Sequence, residues 1–354
     1  DVGAGSGNNL AGNANSAIRF ANNLVFVNSA SSLGLNKSAN ITLYNINDRG
    51  HPYPVILRDG FNICNTTSTP SCYNFTSLKA HDIIFNVSSW SDYTIGPEKI
   101  NVTNCTDLNR PYAIYVLNNN VNSNGTCFNV TANGVTLDGN GKLVNYSRTV
   151  TGNAVNNTGG YDDVVIKNLR IEQGNISTVN SYAIYFDNEA NNGRIENNNI
   201  TTKGGRCYGV YFANSNYSNF ILNNITTFGQ NASGVYLALS SAATVQLNNI
   251  AAMNASSSSV SHGIEMINST NSIFLLNNIK TLASAAHGIS SYSSSSNNFT
   301  LNIINATLND SIRLRGDSSS NLFISNIIID NGRIQLSTDS GANINGTYLK
   351  NQQI

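Results

Sequence analysis

Charge is what this sequence most conspicuously does without. Only 11% of its 354 residues are Asp, Glu, Lys or Arg, and the formal net charge is zero. A chain without a basic patch has nothing to neutralise phosphates, so nucleic acid is excluded as a partner. No apolar run approaches the roughly 20 residues that span a bilayer, and membrane insertion is not expected. No signal peptide opens the chain, and Asp1 is read as the start of a mature, processed product. Histidine occurs only 4 times and the cysteine spacings match no zinc pattern, so no metal or other cofactor is expected. Asn (63), Ser (42) and Thr (26) fill the space instead. That bias suggests disorder, but Ile, Val, Leu, Phe and Tyr recur within it at regular places, as they do not in a disordered polar tract.

Asn-x-Ser/Thr acceptors occur 22 times, against about 12 expected from composition alone. The candidate glycosylation sites are Asn36, Asn40, Asn65, Asn74, Asn86, Asn101, Asn104, Asn124, Asn129, Asn145, Asn156, Asn175, Asn216, Asn231, Asn254, Asn268, Asn298, Asn305, Asn309 and Asn345. Asn199 and Asn224 are set apart because they fall in a turn column where a buried amide ladder is expected. Glycans need exposed loops outside the cytosol, so N-linked glycans are expected partners and the location is extracellular or at the cell surface. Cys64 and Cys72 bracket a Thr/Ser/Pro loop and Cys105 and Cys127 lie close in sequence, which by proximity gives two disulfides. Cys207 is left over, as a buried thiol or a link between chains.

Self-similarity is the strongest signal. Leu222-Asn223-Asn224-Ile225 recurs as Leu247-Asn248-Asn249-Ile250 and Leu276-Asn277-Asn278-Ile279, with degenerate copies at Asn197–Ile200, Leu301–Ile304 and Ile324–Ile327. A second phrase interleaves with it: Ala183-Ile184-Tyr185-Phe186, Gly209-Val210-Tyr211-Phe212, Gly234-Val235-Tyr236-Leu237, Gly263-Ile264-Glu265-Met266 and Gly288-Ile289-Ser290-Ser291. The period of 22–29 residues, with insertions falling between the phrases, means three short strands per coil. Alternation predicts three inward columns. The first is Ile184, Val210, Val235, Ile264, Ile289, Ile312 and Ile334. The second is Phe220, Val245, Phe274, Phe299 and Leu322, and the third is Ile200, Ile225, Ile250, Ile279, Ile304 and Ile327. Coils about 4.8 Å apart place like residues over one another, so Asn side chains can bond up a column. Asn before the Ile, and Gly before the second phrase, are read as left-handed corner residues.

The pattern resembles the right-handed parallel β-helix repeat family, the pectate-lyase-like solenoids, over about residues 111–345. Gly134-Val135-Thr136-Leu137-Asp138-Gly139-Asn140-Gly141, preceded by Cys127-Phe128-Asn129-Val130, looks like the opening coil of archaeal surface β-helix proteins. The fold class expected is therefore all-β: a right-handed parallel β-helix over 99–354 with three strands per coil, preceded by a small β-sandwich-like module at 35–98 and a flexible arm at 1–34. Asp82–Tyr93 resembles the closing strand of small β-sandwiches in archaeal surface proteins. About 60 residues is thin for a whole sandwich, so the apolar stretch at 17–27 is expected to donate a strand to a neighbouring subunit through Ile18, Phe20, Leu24 and Phe26, or else to pack back on its own module.

The resemblance does not fix activity, because this fold hosts lyases, hydrolases, epimerases, adhesins and inert scaffolds. The Gly-His-Gly and Arg-Ile-Lys phrases of polygalacturonases and the Asp-Pro-His-Asp phrase of alginate epimerases are absent. Register puts Glu265 and Arg313 in one outward column with Ser290 between them. Tyr208, Ser233, His262, His287 and Asp310 precede the second phrase in consecutive coils, as an acid/base or metal pair or, more plainly, a polar loop edge. Tyr185, Tyr211 and Tyr236 project outward, to stack on sugars or simply as solvated or interface side chains. The Asp138-Gly139-Asn140-Gly141 turn has too few carboxylates for calcium. With no acidic cluster and an apolar outward stripe of Ile221, Leu275 and Phe323, the chain is expected to be a non-enzymatic structural glycoprotein. It would be the subunit of a cell-surface assembly or filament whose partners are copies of itself. The alternative is a polysaccharide lyase or hydrolase, or a carbohydrate-binding adhesin, on the same scaffold.

Overall fold

A computed structural model describes residues 18–329 apart from 22, 31–32, 47–50, 255–259 and 284, and the backbone of Ile334–Gln335, Asn343–Asn345 and Tyr348–Leu349. The arm before residue 18, the Asp48-Arg49-Gly50 turn and the side chains of Ile334 and Asn345 lie outside the described residues. The chain forms two units, residues 1–100 with 112–114, and 101–111 with 115–354.

The first unit is built from β1 (Ile18–Ala21), β2 (Leu24–Val27), β3 (Ala39–Leu43), β4 (Pro54–Arg58), β5 (Asn62–Ile63), β6 (Cys72–Asn74), β7 (Ile83–Val87) and β8 (Asp92–Pro97). They form a five-stranded sheet ordered β1-β2-β8-β4-β5 and a three-stranded sheet ordered β3-β7-β6. Alternation along β3, β7 and β8 turns Ile41, Leu43, Ile83, Phe85, Val87, Tyr93 and Ile95 into one core with Val25 and Ile56. The Cys64–Cys72 bridge lies in the same core. The missing strands come from the chain itself: β1 and β2 form a hairpin, and β2 pairs with β8 through Val25–Tyr93 and Phe26–Asp92. The stretch expected to reach a neighbour is thus paired at home. Ile18, Leu24 and Phe26 are half-buried there, Arg19 covers the Phe26 ring at 4.5 Å, and only Phe20 stands out, 76% exposed.

The second unit is a parallel β-solenoid of about nine coils, as the period predicts. Its sheets run from Asp107–Leu108 to Ile334–Gln335 (first, ten strands), Lys99–Val102 to Asn343–Asn345 (second, eleven) and Val121–Asn122 to Tyr348–Leu349 (third, ten). Val210, Val235, Ile264, Ile289 and Ile312 pair in sequence and are fully buried, as are Ile200, Ile225, Ile250, Ile279 and Ile304. The Cys105–Cys127 bridge closes as expected, and Cys207 is a buried free thiol.

Near the C-terminal end the expected register is off by one residue. Phe299 pairs with Phe323 and Ile304 with Ile328, so Phe323 and Ile328 are 0% exposed and Ile327 faces solvent. Phe323 is therefore a core residue and not an interface residue, because a one-residue slip exchanges the two faces of a strand. Ile221 and Leu275 do point outward and are half-buried.

The corners also differ from expectation. The buried amide ladder is the Asn two residues before the inward Ile of each coil: Asn198, Asn223, Asn248, Asn277, Asn302 and Asn326. Asn199 and Asn224 form a second, exposed ladder, so neither acceptor is buried. The left-handed residue is the one before the ladder. Asn197 holds that position in one coil, whereas Leu222, Leu247, Leu276 and Leu301 hold it in four successive coils with φ of 58°, 57°, 55° and 56°. Gly234 has ordinary φ; an added Cβ there would lie 2.3 Å from the Ile250 Cγ2, so close approach, and not handedness, asks for glycine.

Candidate functional site

The outward face of the first sheet is where chemistry-bearing side chains collect. Register stacks Tyr185, Tyr211, Tyr236, Glu265, Ser290 and Arg313 in one column, one residue per coil. Alongside runs the column Tyr182, Tyr208, Ser233, His262, His287 and Asp310, each next to the first residue of the second phrase. Their inward neighbours anchor both columns, because Val210, Val235, Ile264 and Ile289 are locked in the core.

The tyrosines pack on one another. Tyr211 stacks on Tyr182 and on Tyr236 with ring centroids 4.7 Å apart in each case, and Tyr208 stacks on Tyr182 at 5.5 Å and Tyr236 at 4.9 Å. Tyr185 meets Tyr211 edge-on, and its hydroxyl donates to the Asp187 Oδ2 at 2.8 Å. Ring faces are thus spent largely on each other, which leaves ring edges and hydroxyls for solvent. Burial raises all five phenols, Tyr182 to about 12, so they remain protonated donors. Tyr182 escaped the sequence reading. Its signal is that it precedes Ala183, which stands where later coils have Gly.

Past Tyr236 the strip becomes ionisable. Burial raises the Glu265 carboxyl, opposed by the Ser233 hydroxyl, which donates to its Oε2 at 2.7 Å, and by the charge of Arg315. His262 and His287 stack at 5.2 Å. The backbone N–H of His287 donates to His262 Nδ1 at 2.9 Å, so that nitrogen carries no proton. Arg313 Nη1 lies 3.1 Å from His287 Nε2 and, having only hydrogens to offer, donates to it. His287 Nδ1 then carries the proton and donates to the Asp310 carbonyl at 3.2 Å, while the Asp310 carboxylate, 4.0 Å away, is beyond hydrogen-bond reach. These partners fix both imidazoles as neutral tautomers. Burial lowers His262 to about 3 and His287 to about 4, helped by the neighbouring positive charges. The plain reading of this column, a polar loop edge, does not include the hydrogen bonds of Ser233 with Glu265 and of His287 with Arg313.

Stability is expected to fall as pH drops from about 6.5 towards 4. Unfolded histidines take up protons below 6.5, while the folded pair refuses them down to about 4 and about 3, so the unfolded state binds more protons in that window and stability rises with pH. Urea midpoints measured across it should show the slope, and a His262→Gln/His287→Gln chain should show much less of it. Equal slopes in the two chains would mean that the imidazoles are not held neutral.

Among the described residues no group of three or more His, Cys, Asp or Glu can hold a metal ion. The Asp138 carboxylate is occupied by the Asn140 N–H, the Asn168 amide and Lys167. A hollow lined by Gly141, Asn168, Arg170 and Asn197 lies on another corner and brings no carboxylate or imidazole. Of the sequence's acceptors, Asn36, Asn40, Asn65, Asn74, Asn101, Asn104, Asn124 and Asn268 are exposed, whereas the Asn145 side-chain oxygen is buried. Among the described residues no helix is long and apolar enough to cross a membrane. The two disulfides fit an oxidising compartment.

No protein-family model matches the chain, and no curated protein matches it in sequence. Solved structures do. The A-module of a mannuronan C-5 epimerase from Azotobacter vinelandii is 14% identical, with a TM-score of 0.37, covering 73% of this chain and 90% of that one. A periplasmic alginate epimerase is 12% identical (TM-score 0.37; 73% and 85% covered). The endo-xylogalacturonan hydrolase of Aspergillus tubingensis is 12% identical (TM-score 0.38; 72% and 83% covered). The likeness is one of fold, shared with pectate-lyase-like solenoids; no archaeal surface protein is among these three. The expectation of a non-enzymatic filament subunit is corrected to this extent: the solved structures named here are two epimerases and a hydrolase, and none of these three is a filament subunit. The sequence reading weighed the number of acidic residues and not their surroundings, and so passed over the contact of Glu265 with Ser233 in the outward column.

Proposed function

We propose that this chain binds a polysaccharide along the outward face of its first solenoid sheet and transfers a proton to or from it through Glu265. One observation carries the reading: a ladder of protonated tyrosine hydroxyls runs, coil by coil, into a buried carboxyl whose proton affinity is raised. Hydroxyl rows suit a ligand that is itself made of hydroxyls. A carboxyl raised by burial is suited to general acid–base work near neutral pH. Ser233 orients it, and Arg313 and Arg315 bring positive charge to the same end of the strip.

The experiment is incubation with a panel of uronate-containing and neutral polysaccharides. It reads new reducing ends, ultraviolet-absorbing unsaturated ends and sugar configuration. At least one polysaccharide should be altered, and Glu265→Gln should lower that rate by about 100-fold or more with an unchanged thermal midpoint. Retention of a polysaccharide without any product would reduce the protein to a binding module. If none is either retained or altered, the reading is wrong.

A further inference from the structure

A row of leucines stands on the surface at a corner where the backbone asks for something else. Leu222, Leu247, Leu276 and Leu301 join the second sheet to the third, one per coil, with φ of 58°, 57°, 55° and 56°. Asn and Gly enter that left-handed region readily, whereas leucine does so at a cost. The coils on either side hold Asn197 and Ser325 at the same place, so the corner closes without a leucine. Folding does not recover the cost by burial either, because the four side chains are 56%, 42%, 45% and 47% exposed. We infer that this rib is a self-association surface whose partner is a second copy of the chain, packed rib against rib and antiparallel about a two-fold axis. The rib lies away from the tyrosine strip, so the inference stands independently of the polysaccharide reading.

Pitch selects the partner. The Leu247 N–H donates to the Leu275 carbonyl at 3.0 Å and the Leu276 N–H to the Thr300 carbonyl at 3.1 Å, so the leucines follow the coil spacing of about 4.8 Å. A partner that fills the gaps between them over three steps, about 14 Å, needs side chains at the same pitch. A second rib supplies them. Charge agrees with a like partner, because a two-fold axis lays a surface on its own copy. At these four levels neither flanking column carries a charge: Ile221 and Leu275 lie on one side, and Asn224, Asn249 and Asn278 on the other.

The nearest cation, exposed Lys280, sets the direction. It stands at the level of Leu276, two residues beyond Asn278 on the third sheet. A parallel pair brings Lys280 level with Lys280 of the other copy. An antiparallel pair in full overlap sets Leu276 against Leu247 and separates the two charges. Ile303 and Ile327, 39% and 40% exposed, continue the apolar surface past Leu301. Together these side chains offer on the order of 500 Å² of apolar surface, the size at which an exposed patch marks an interaction site. With the asparagine ladder beside it the contact approaches the roughly 800 Å² per partner of a standard interface. Such a pair closes on itself and builds no filament.

Sedimentation equilibrium of the full chain from about 1 to 500 µM should show a monomer–dimer equilibrium with a micromolar dissociation constant and nothing larger. Leu247→Asn combined with Leu276→Asn should weaken the dimer by about 100-fold or more. The thermal midpoint of that chain at low concentration should hold or rise, since Asn already serves this corner at Asn197. Under mild oxidation, a Leu247→Cys chain mixed with a Leu276→Cys chain should cross-link faster than either chain alone. Faster cross-linking of either chain alone overturns the antiparallel arrangement. A monomer at every concentration, a dimer indifferent to the two Asn substitutions, or a mass that keeps growing with concentration overturns the rib as a pairing surface. So does a monomer that binds phosphatidylcholine vesicles through these leucines, because a lipid surface would then be the cover.

Discussion

Replacing Asn248 by Ala is expected to cost roughly 3–6 kcal/mol, whereas the same exchange one residue on, at Asn249, costs less than about 1 kcal/mol. Asn248 is buried and every polar position on its side chain is used. Its Nδ2 donates to the Asn277 Oδ1 at 3.0 Å and to the Phe220 carbonyl at 2.8 Å. Its Oδ1 accepts from the Asn223 backbone N–H at 2.9 Å and from the Asn223 Nδ2 at 3.0 Å. Truncation strands two buried donors of Asn223 and removes donors from Asn277 and Phe220. Each orphaned group costs about 1–3 kcal/mol, and collapse of the cavity offsets little, because the coil spacing is fixed by strand pairing on both sides. Asn249 has the same chemistry at the surface, where its amide donates to Asn224 at 2.8 Å and water replaces the partner.

Urea or thermal midpoints of the two variants beside the parent give the comparison. Near-equal losses would mean that the interior amides contribute no more than exposed ones. The prediction also separates two explanations of why Asn recurs in this sequence. Handedness is supplied by the residue before, which in four coils is a leucine at a φ that costs an L-residue about 1–2 kcal/mol. The buried Asn of each coil is there for its four hydrogen-bonding positions.

The coil and its inward columns were legible because burial repeats. With all three strands of each coil facing one core, an apolar residue must return once per coil in every sheet, and Val210, Val235, Ile264 and Ile289 do so with nothing missing. Corners are less legible, since the residue types that suit them overlap: Asn serves a left-handed turn and a buried ladder equally well, and sequence alone does not say which. Glycine is similarly double, and at Gly234 the deciding fact is an Ile250 methyl contributed by a strand 16 residues later.

The site was legible as columns and illegible as chemistry. Tyr211, Tyr236, Glu265, His287 and Arg313 were all placed on the correct face by register. What register cannot give is the contact between columns: that Ser233 reaches Glu265, that Arg313 reaches His287, and that the tyrosine rings turn their faces towards each other. Arg315, two residues beyond Arg313 on the same strand face, was missed because no repeat of Arg marks it; its charge at Glu265 emerges only in three dimensions.

The last coils give the sharpest test of register. Phe323→Asp is expected to cost more than about 5 kcal/mol and to release the C-terminal coils, while Ile327→Asp costs about 1 kcal/mol. Phe323 is fully enclosed and stacks on Phe299 with ring centroids 4.6 Å apart, itself stacked at 4.6 Å on Phe274. An Asp there loses the ring, the stack and the apolar contacts, and leaves a carboxylate with no partner in the core. Ile327 is 40% exposed, so an Asp at that position keeps its hydration and forfeits mainly strand preference. The alternative register, in which Leu322 and Ile327 face inward, predicts the reverse order. Because each coil of a solenoid touches chiefly its neighbours, the damage should begin locally. Limited proteolysis should cut the Phe323→Asp chain after about residue 300 before the rest of the solenoid opens, and leave Ile327→Asp as resistant as the parent. Cleavage of the Ile327→Asp chain with Phe323→Asp intact would shift the last coils back by one residue and return Phe323 to the surface.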